Sequence, residues 1–350
     1  MNLLLEKYLA IIRNFTSKKE DGPSVGLDIG LSSVKMVQLV QSPESIELLQ
    51  WAIEPIEGAD IQTPVKKIIN NLGSAAKSPI TSVFGKGTLI RYIDMPRMPL
   101  EDLKKSLSIE ADKYFPFPPD QLYLDCFILD AKSTEKQMSV LVAAAKKELI
   151  DERIKLLTDL GLQADYISIN SIALANAFNV LQEHGKDLEK KEIQGKALLD
   201  MGNEESHLMI MVDNSPRFDR DIYIGGRHFT QAISHAFGTN SKEAEHIKCD
   251  PRDRANDIFN ACESTLNNLV SDMRLSFDYF ITEKNVPITT LYLTGGASLM
   301  EGMEKFFSRN LDITVERWKP TSCLKLAPGI DKNELTRQVG NLGVAIGLAL

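Results

Sequence analysis

One short pattern occurs twice, in opposite halves of the chain, and it limits the available folds more than any other feature. Gly26-Leu27-Asp28-Ile29-Gly30 and Leu198-Leu199-Asp200-Met201-Gly202 each read as an apolar strand, an Asp, an apolar residue, a Gly, a polar turn and a returning strand. A solenoid repeats its unit every few tens of residues; one echo at so long a period points instead to two related halves. With 350 residues the chain has the length for two or more hydrophobic cores.

Composition closes off several classes. Hydrophobic residues at 43% and charged residues at 25% are those of a soluble globular protein. A formal net charge of −8 supplies no overall basic face, so nucleic acid is not an expected partner. Cys126, Cys249, Cys262 and Cys323 form no C-x-x-C pair and the five histidines are scattered, so no zinc or redox motif assembles locally. His228 and His235 stand seven apart and read as ordinary surface or core residues. Free thiols suit a reducing cytoplasm. No apolar run reaches bilayer-spanning length. Met1 to Phe15 carries Glu6, Lys7 and Arg13 with no small-residue cleavage site, so it does not read as a secretory signal.

Leu3, Leu4, Leu5, Tyr8, Leu9, Ile11, Ile12 and Phe15 form a broad apolar face at helical spacing, and Ser17 to Pro23 breaks it. Two readings of this helix stand: one packed on the main body or a neighbouring molecule, one interfacial on a membrane or partner. Strands are expected at 25–28, 34–40, 45–54, 81–84, 89–95, 122–130 and 137–145, and again at 197–200 and 208–212. Leu103, Leu107, Ile109, Ala111 and Tyr114 among charges predict a helix over 100–114, ended by Pro116, Pro118 and Pro119. A second helix runs over 147–160 to Gly161.

Three loops have the chemistry to hold a nucleotide. A phosphate needs backbone N–H donors, close approach and a cation. The turn Gly30-Leu31-Ser32-Ser33 offers a permissive glycine and two hydroxyls, then Lys35, and Asp28 at the strand end can hold magnesium through water. An Asp-x-Gly between strands is also a common hairpin turn. The second turn supplies Asp200, Gly202, Asn203 and the hydroxyl of Ser206. The third is a strand, Leu291 to Thr294, running into Gly295-Gly296-Ala297-Ser298, where small residues let a flat ring or ribose approach the backbone; a glycine pair there also serves a tight strand-to-helix turn.

In this order and spacing the loops resemble the actin-like ATPase superfamily, with two phosphate hairpins and an adenosine loop. Ile224-Gly225-Gly226-Arg227-His228-Phe229-Thr230 looks like the interdomain connector of that superfamily. Ala244-Glu245-His246-Ile247-Lys248 resembles the helix whose Glu and Lys approach the ribose, and Gly340 to Leu350 resembles the closing glycine-rich helix. The resemblance implies an α/β, ribonuclease H-like duplicated fold. It places an N-terminal helix and linker at 1–24 and a first half at 25–196 with an α+β subdomain inserted at about 85–165. A second half follows at 197–350, its last helix returning to the first half. The implied ligands are ATP and Mg2+, with Gly225, Gly226, Glu245 and Lys248 joining the loop residues as binding candidates.

Arg91-Tyr92-Ile93-Asp94-Met95-Pro96-Arg97-Met98-Pro99, the helix that follows and Tyr114-Phe115-Pro116-Phe117-Pro118 resemble the inserted subdomain of the PilM family of type IV pilus assembly, and Val140 to Lys146 and Gly161 to Ala164 continue the match. That resemblance implies an adaptor in the cytoplasm, peripheral to the inner membrane. Its groove would take the short N-terminal tail of a PilN-like single-pass membrane protein. Ile93, Met95, Pro96, Met98 and Pro99 are the groove candidates, because extended peptides bind by main-chain pairing plus apolar pockets; the other reading makes them the subdomain's own core or turn. Further implied partners are other pilus platform proteins and motor ATPases, with membrane contact indirect or through the N-terminal helix, and a homo-oligomer is compatible with the fold. Asn2-Leu3-Leu4 resembles the Asn-Leu-Leu of such tails.

Two departures bear on the chemistry. Asn203-Glu204-Glu205 stands where small or hydroxyl residues are usual, and two carboxylates repel a triphosphate unless they turn outward or engage the metal. Ala297 stands where a third glycine is usual. The expectation is nucleotide binding with slow or absent turnover, Asp200 ordering metal and water as the one catalytic candidate, and the nucleotide acting as a latch between halves. Two alternatives compete. An FtsA-like division protein would carry a linker and amphipathic helix after the closing helix, where this sequence ends at Leu350. A small-molecule kinase of the superfamily would need a polar substrate pocket where the inserted region is apolar and proline-bounded.

Overall fold

The computed structural model describes residues 22–72, 78–129, 136–183 and 193–350; the helix expected over Met1 to Phe15 lies outside them. The described chain divides into two compact units. One takes the residues up to Glu183 with Cys323–Ile330 and Val344–Leu350, the other the residues from Ile193 to Ser322 with Asp331–Gly343.

In the first unit, β1 (Ser24–Ile29) is buried along its whole apolar length, as befits a central strand covered on both faces. It pairs antiparallel with β2 (Ser33–Gln41), which pairs antiparallel with β3 (Ile46–Pro55). After α1 (Gln62–Leu72), β4 (Ile80–Val83) joins the other side of β1 in parallel, and β8 (Tyr166–Ile169) joins β4. With β14 (Lys325–Leu326) on the edge, the sheet order is β14-β3-β2-β1-β4-β8. The inserted residues between β4 and β8 form β5 (Thr88–Pro96), α2 (Leu100–Tyr114), β6 (Leu122–Ile128) and β7 (Gln137–Lys146), and then α3 (Lys147–Asp159) leads back to β8.

The inserted strands make an antiparallel sheet of order β5-β7-β6. Its central strand explains the unbroken apolar run of 140–145. Val140, Val142 and Ala144 enter one core with Leu103, Leu107, Ala111 and Phe115, while Leu141, Ala143 and Ala145 enter another with Leu27, Ile29, Val34 and Met36. Side chains alternate across a strand, so a strand buried on both faces shows no alternation in its sequence. Ile150 and Leu157 of α3 join the second of these cores.

In the second unit, β9 (Gly195–Met201), β10 (Ser206–Val212) and β11 (Ser215–Ile222) form an antiparallel meander. Then come α5 (Gly226–Phe237), α6 (Ser241–Cys249) and α7 (Ala255–Lys284). β12 (Ile288–Thr294) runs parallel to β9, and β13 (Thr314–Arg317), reached through α8 (Met303–Leu311), runs parallel to β12. The order β11-β10-β9-β12-β13 repeats that of β3-β2-β1-β4-β8, which is the duplication announced by the two Asp-x-Gly turns. α7 buries Ile258, Cys262, Leu266, Leu269, Met273, Phe277 and Phe280 at spacings of three and four, the period of one helix face. α9 (Lys332–Gln338) follows, its N-terminus capped by Asp331.

The chain returns to the first unit in α10 (Gly343–Ala349), and two glycines allow it. A Cβ on Gly26 of β1 would stand 2.1 Å from the Ala345 carbonyl oxygen, and one on Gly347 would stand 1.8 Å from the carbonyl oxygen of Ala173 in α4 (Asn170–Glu183). Backbone meets backbone there with no side chain to yield. Gly347→Ala is therefore expected to destabilise the protein by about 1–3 kcal/mol or more through overpacking, read as a lower urea midpoint at unchanged slope; an unchanged midpoint would contradict the packing described.

Candidate functional site

Each unit turns its first two strands through the same hairpin. The Gly30 amide donates to the Ser33 carbonyl at 3.1 Å, and the Gly202 amide donates to the Glu205 carbonyl at 3.0 Å. The registers match too: Asp28 lies opposite Lys35 on the neighbouring strand, and Asp200 lies opposite His207.

In the first hairpin Asp28 is 3% exposed, and its Oδ2 lies 3.1 Å from the Lys35 ammonium. Its Oδ1 is buried and accepts no hydrogen bond from the protein, the one feature here that fits a water of a hydrated cation. Gly30 approaches Lys35 closely, since a Cβ on it would stand 3.0 Å from Nζ. Ser32 is exposed and Ser33 half-buried at the turn. Sequence reasoning missed Arg153 of α3, whose guanidinium donates to Thr81 Oγ1 at 3.3 Å and to the carbonyl of Ile29 at 3.4 Å. Burial pulls that group down to about 10, and the Asp28 charge acts in the opposite direction. Among the described residues no cluster of three or more His, Cys, Asp or Glu is arranged to hold a metal directly.

The second hairpin is built into a larger assembly. The N-terminus of α5 docks on it, with the amides of Gly226 and Arg227 donating to the carbonyls of Gly202 and Asn203, both at 2.8 Å. Gly225 makes that possible, because a Cβ there would stand 2.6 Å from the Asn203 carbonyl oxygen. The segment that resembles an interdomain connector thus lies wholly inside the second unit, as the start of a helix. Arg227 pairs with Glu204 at 2.7 Å, which answers one of the two carboxylates in the turn. The Ser206 hydroxyl is buried and donates to the Ile224 carbonyl at 2.6 Å.

Lys248 of α6 reaches the same place. Its ammonium donates to the Gly226 carbonyl at 3.1 Å, to Thr230 Oγ1 at 2.8 Å and to Glu245 Oε2 at 2.7 Å, which uses all three of its hydrogens. The Thr230 hydroxyl also bonds Glu245. Burial raises the Glu245 carboxyl, but the bonds from Lys248 and Thr230 outweigh it and hold the group below its ordinary value.

The small-residue loop after β12 completes the cluster. Gly295, at φ +84°, is wedged against the second hairpin: a Cβ there would stand 2.5 Å from Asp200 Oδ1 and from the Met201 amide. Ala297 faces Gly226, whose own Cβ would be 3.3 Å from that of Ala297. Gly296 lies against the Asn341 side chain, and the Gly295 amide donates to the Gly340 carbonyl at 2.8 Å. The Ser298 hydroxyl closes its own turn on the Gly295 carbonyl at 2.7 Å. Asp200, Gly202, Gly225, Gly226, Lys248, Gly295, Gly296 and Ala297, from four separated segments, thus come together in one unit.

The groove candidates divide. Met95 is 6% exposed and belongs to the subdomain core, because β5 turns it inward against α2; Ile93 and Met98 are half-buried against that core, and Pro96 and Pro99 are exposed.

His207 is a further residue that sequence reasoning passed over. Its Nδ1 lies 2.7 Å from Asp221 Oδ1 and its Nε2 lies 2.7 Å from Asp219 Oδ2. Burial alone would lower its pKa, but the two carboxylates hold it well above 6.5. A raised folded-state value means that this stability is fully present below pH 6.5 and is lost as pH rises through the folded value. Thermal melts should show the wild type losing stability as pH rises from 6.5, and His207→Gln should flatten that loss; equal slopes would rule out a buried imidazolium.

A solved PilM–PilN type IV pilus biogenesis complex superposes with TM-score 0.82 at 23% identity, covering 94% of this chain and 98% of that one. MreB5 of Spiroplasma citri bound to ADP superposes with TM-score 0.50 at 12% identity, covering 93% and 94%, so the fold is actin-like. The cell division protein FtsA of Helicobacter pylori is 28% identical over 120 residues, 34% of this chain, and the match spans only 23% of the FtsA chain. Among the described residues no helix is long and apolar enough to cross a membrane. The family model described as type IV pilus assembly protein PilM matches residues 26–350, and the chain belongs to that family.

Proposed function

We propose that this chain is an actin-like adaptor of a type IV pilus or related secretion machine, that it binds Mg-ATP, and that it takes the N-terminal cytoplasmic tail of a PilN-like membrane protein. The observation that carries the nucleotide reading is the pair of equivalent hairpins, each presenting an Asp at a strand end and a Gly-closed turn. Asp28 would hold magnesium through water, with its unpartnered Oδ1 as the acceptor, and Lys35 would meet phosphate. Bound magnesium supplies charge neutralisation of the phosphates. In the second unit Asp200 and Gly202 take the equivalent places; Gly226, Gly295 and Ala297 are buried beside them and Gly296 is exposed, a side-chain-poor surround suited to the approach of a ribose or purine. Lys248 and Glu245 are occupied with each other, with Thr230 and with Gly226, so they shape that surface as a braced pair. The ion pair of Glu204 with Arg227 removes much of the repulsion expected in the turn, which favours binding, while Asp200 is the one candidate for ordering an attacking water.

The tail site proposed is the open edge of β5. The inserted sheet has the order β5-β7-β6, so β7 occupies one edge of β5, and among the described residues no strand pairs with the other, which suits strand addition. Ile93, Met98, Pro96 and Pro99 would line it; Met95 works from inside, as core. The solved PilM–PilN complex supports a partner of this kind. A partner anchored in the inner membrane would hold the chain at its cytoplasmic surface.

Titration with a fluorescent ATP analogue and magnesium should give saturable binding that Asp200→Ala weakens about tenfold or more, the scale of losing a charge-assisted contact. Steady ATP hydrolysis that Asp200→Ala abolishes would show the slow-turnover reading to be wrong. A synthetic tail peptide of a PilN-like protein should bind, and Ile93→Asp or Met98→Asp should weaken it about tenfold or more. Unchanged peptide affinity in both variants would move the groove elsewhere.

A further inference from the structure

Asp28 and Lys35 pose a problem that the first hairpin must solve. The Asp28 side chain is 5% exposed and the Lys35 side chain 15%, at 3.1 Å separation. If the Lys35 ammonium moves to a phosphate, it leaves a buried carboxylate, and an uncompensated buried charge is among the most destabilising features a fold can carry.

A second cation stands behind the pair. Arg153 enters from α3 and is fastened to β1 and β4 rather than to the hairpin turn: it donates to the carbonyl of Ile29, the residue after Asp28, and to the hydroxyl of Thr81. Thr81 in turn donates to the Leu27 carbonyl at 2.7 Å and lies in register with Leu27 across the parallel pair. Two bonds, one of them to a hydroxyl that is itself bonded to β1, thus fix the guanidinium against the strand end that carries Asp28, and the Asp28 charge acts on it. Arginine suits the position, since its charge is delocalised and weakly hydrated and its planar fork offers donors to two oxygens at once.

We propose that Arg153 is a positioning residue of the first phosphate hairpin: it is the standing counter-charge of Asp28, and by staying in place it frees the Lys35 ammonium to pass from the Asp28 carboxylate to a phosphate oxygen. The second half of this statement rests on the nucleotide reading above; the first half does not. Asp28 keeps one cation whether or not Lys35 is engaged, so its orientation toward a hydrated metal persists through binding. Lys35, on a flexible stem beside Gly30, is the mobile member, and Arg153 is the fixed one.

A denaturation cycle tests the first half without any ligand. Lys35→Met, Arg153→Met and the double variant are compared in the natural background and in Asp28→Asn. With Asp28 present, the double variant should lose at least about tenfold more in the folding equilibrium constant than the two single losses multiplied. In Asp28→Asn that excess should vanish, and Arg153→Lys should behave close to wild type. If the double variant does not fold, restoration of folding by Asp28→Asn gives the same answer. Multiplicative losses in both backgrounds, or no rescue by Asp28→Asn, would overturn the proposal. The second half is read by titrating mant-ATP with magnesium: Arg153→Met should weaken binding about tenfold, with recovery in Arg153→Lys. Coupling in the cycle with no mant-ATP binding by the wild type would overturn the nucleotide reading and the transfer of Lys35, and leave Arg153 as counter-charge; binding that Arg153→Met leaves unchanged would overturn the transfer alone.

Discussion

The rest of this protein depends on ending a buried strand in a carboxylate and reversing the chain within a four-residue turn. A carboxylate at the end of a central strand is costly to bury, and each unit meets the cost differently. The first answers Asp28 with Lys35 and Arg153. The second packs the Asp200 carboxylate against a left-handed glycine and seats the start of α5 on the turn beside it. The glycines that close both turns do so by the same amide-to-carbonyl bond, which is why two hairpins with different side chains have the same shape.

Once the turn is fixed, the elements around it are chosen by how closely they can approach. α5 comes near enough to donate two backbone amides only because Gly225 has no side chain. The loop after β12 comes near because Gly295 has none, and α6 is then tied on by Lys248. The same logic brings α10 against β1 and α4 at Gly26 and Gly347.

Much of this was legible in the sequence, for a definite reason. Turns that need a glycine and a carboxylate write both into neighbouring positions, so Asp28-Ile29-Gly30 and Asp200-Met201-Gly202 announced the duplication, while Arg91 to Pro118 carried the resemblance to the family. Partners brought in from afar leave no such local trace. Nothing near Arg153 marks it as the companion of Asp28, and nothing near His207 marks Asp219 and Asp221 as its two acceptors, because those meetings are made by strand register and helix docking. Glu204 looked like an obstacle to phosphate when read alone; its pairing with Arg227 depends on α5 folding back onto the turn. Met95 lies in the subdomain core, one of its two readings, and the sequence left the choice open because proline-bounded strands do not disclose which face turns inward.

The central strand of the inserted sheet, dry on both faces, has a consequence for fidelity of folding. Where one face of a sheet meets water, a slip of one residue is punished by putting polar groups inside. β7 carries that safeguard only at its ends, in Gln137, Ser139 and Lys146, since Val140 to Ala145 would be apolar in either phase. Between those ends the two sides differ in bulk: Val140 and Val142 fill one side, while Leu141 followed by Ala143 and Ala145 leaves room on the other for Ile150 and Leu157. A shifted strand would trade small for large on two fronts at once, opening voids against α2 and collisions against α3. Alignment along this apolar stretch is a matter of volume as well as of polarity at its ends, so a substitution that keeps the strand greasy but changes its size can still misplace what the strand carries.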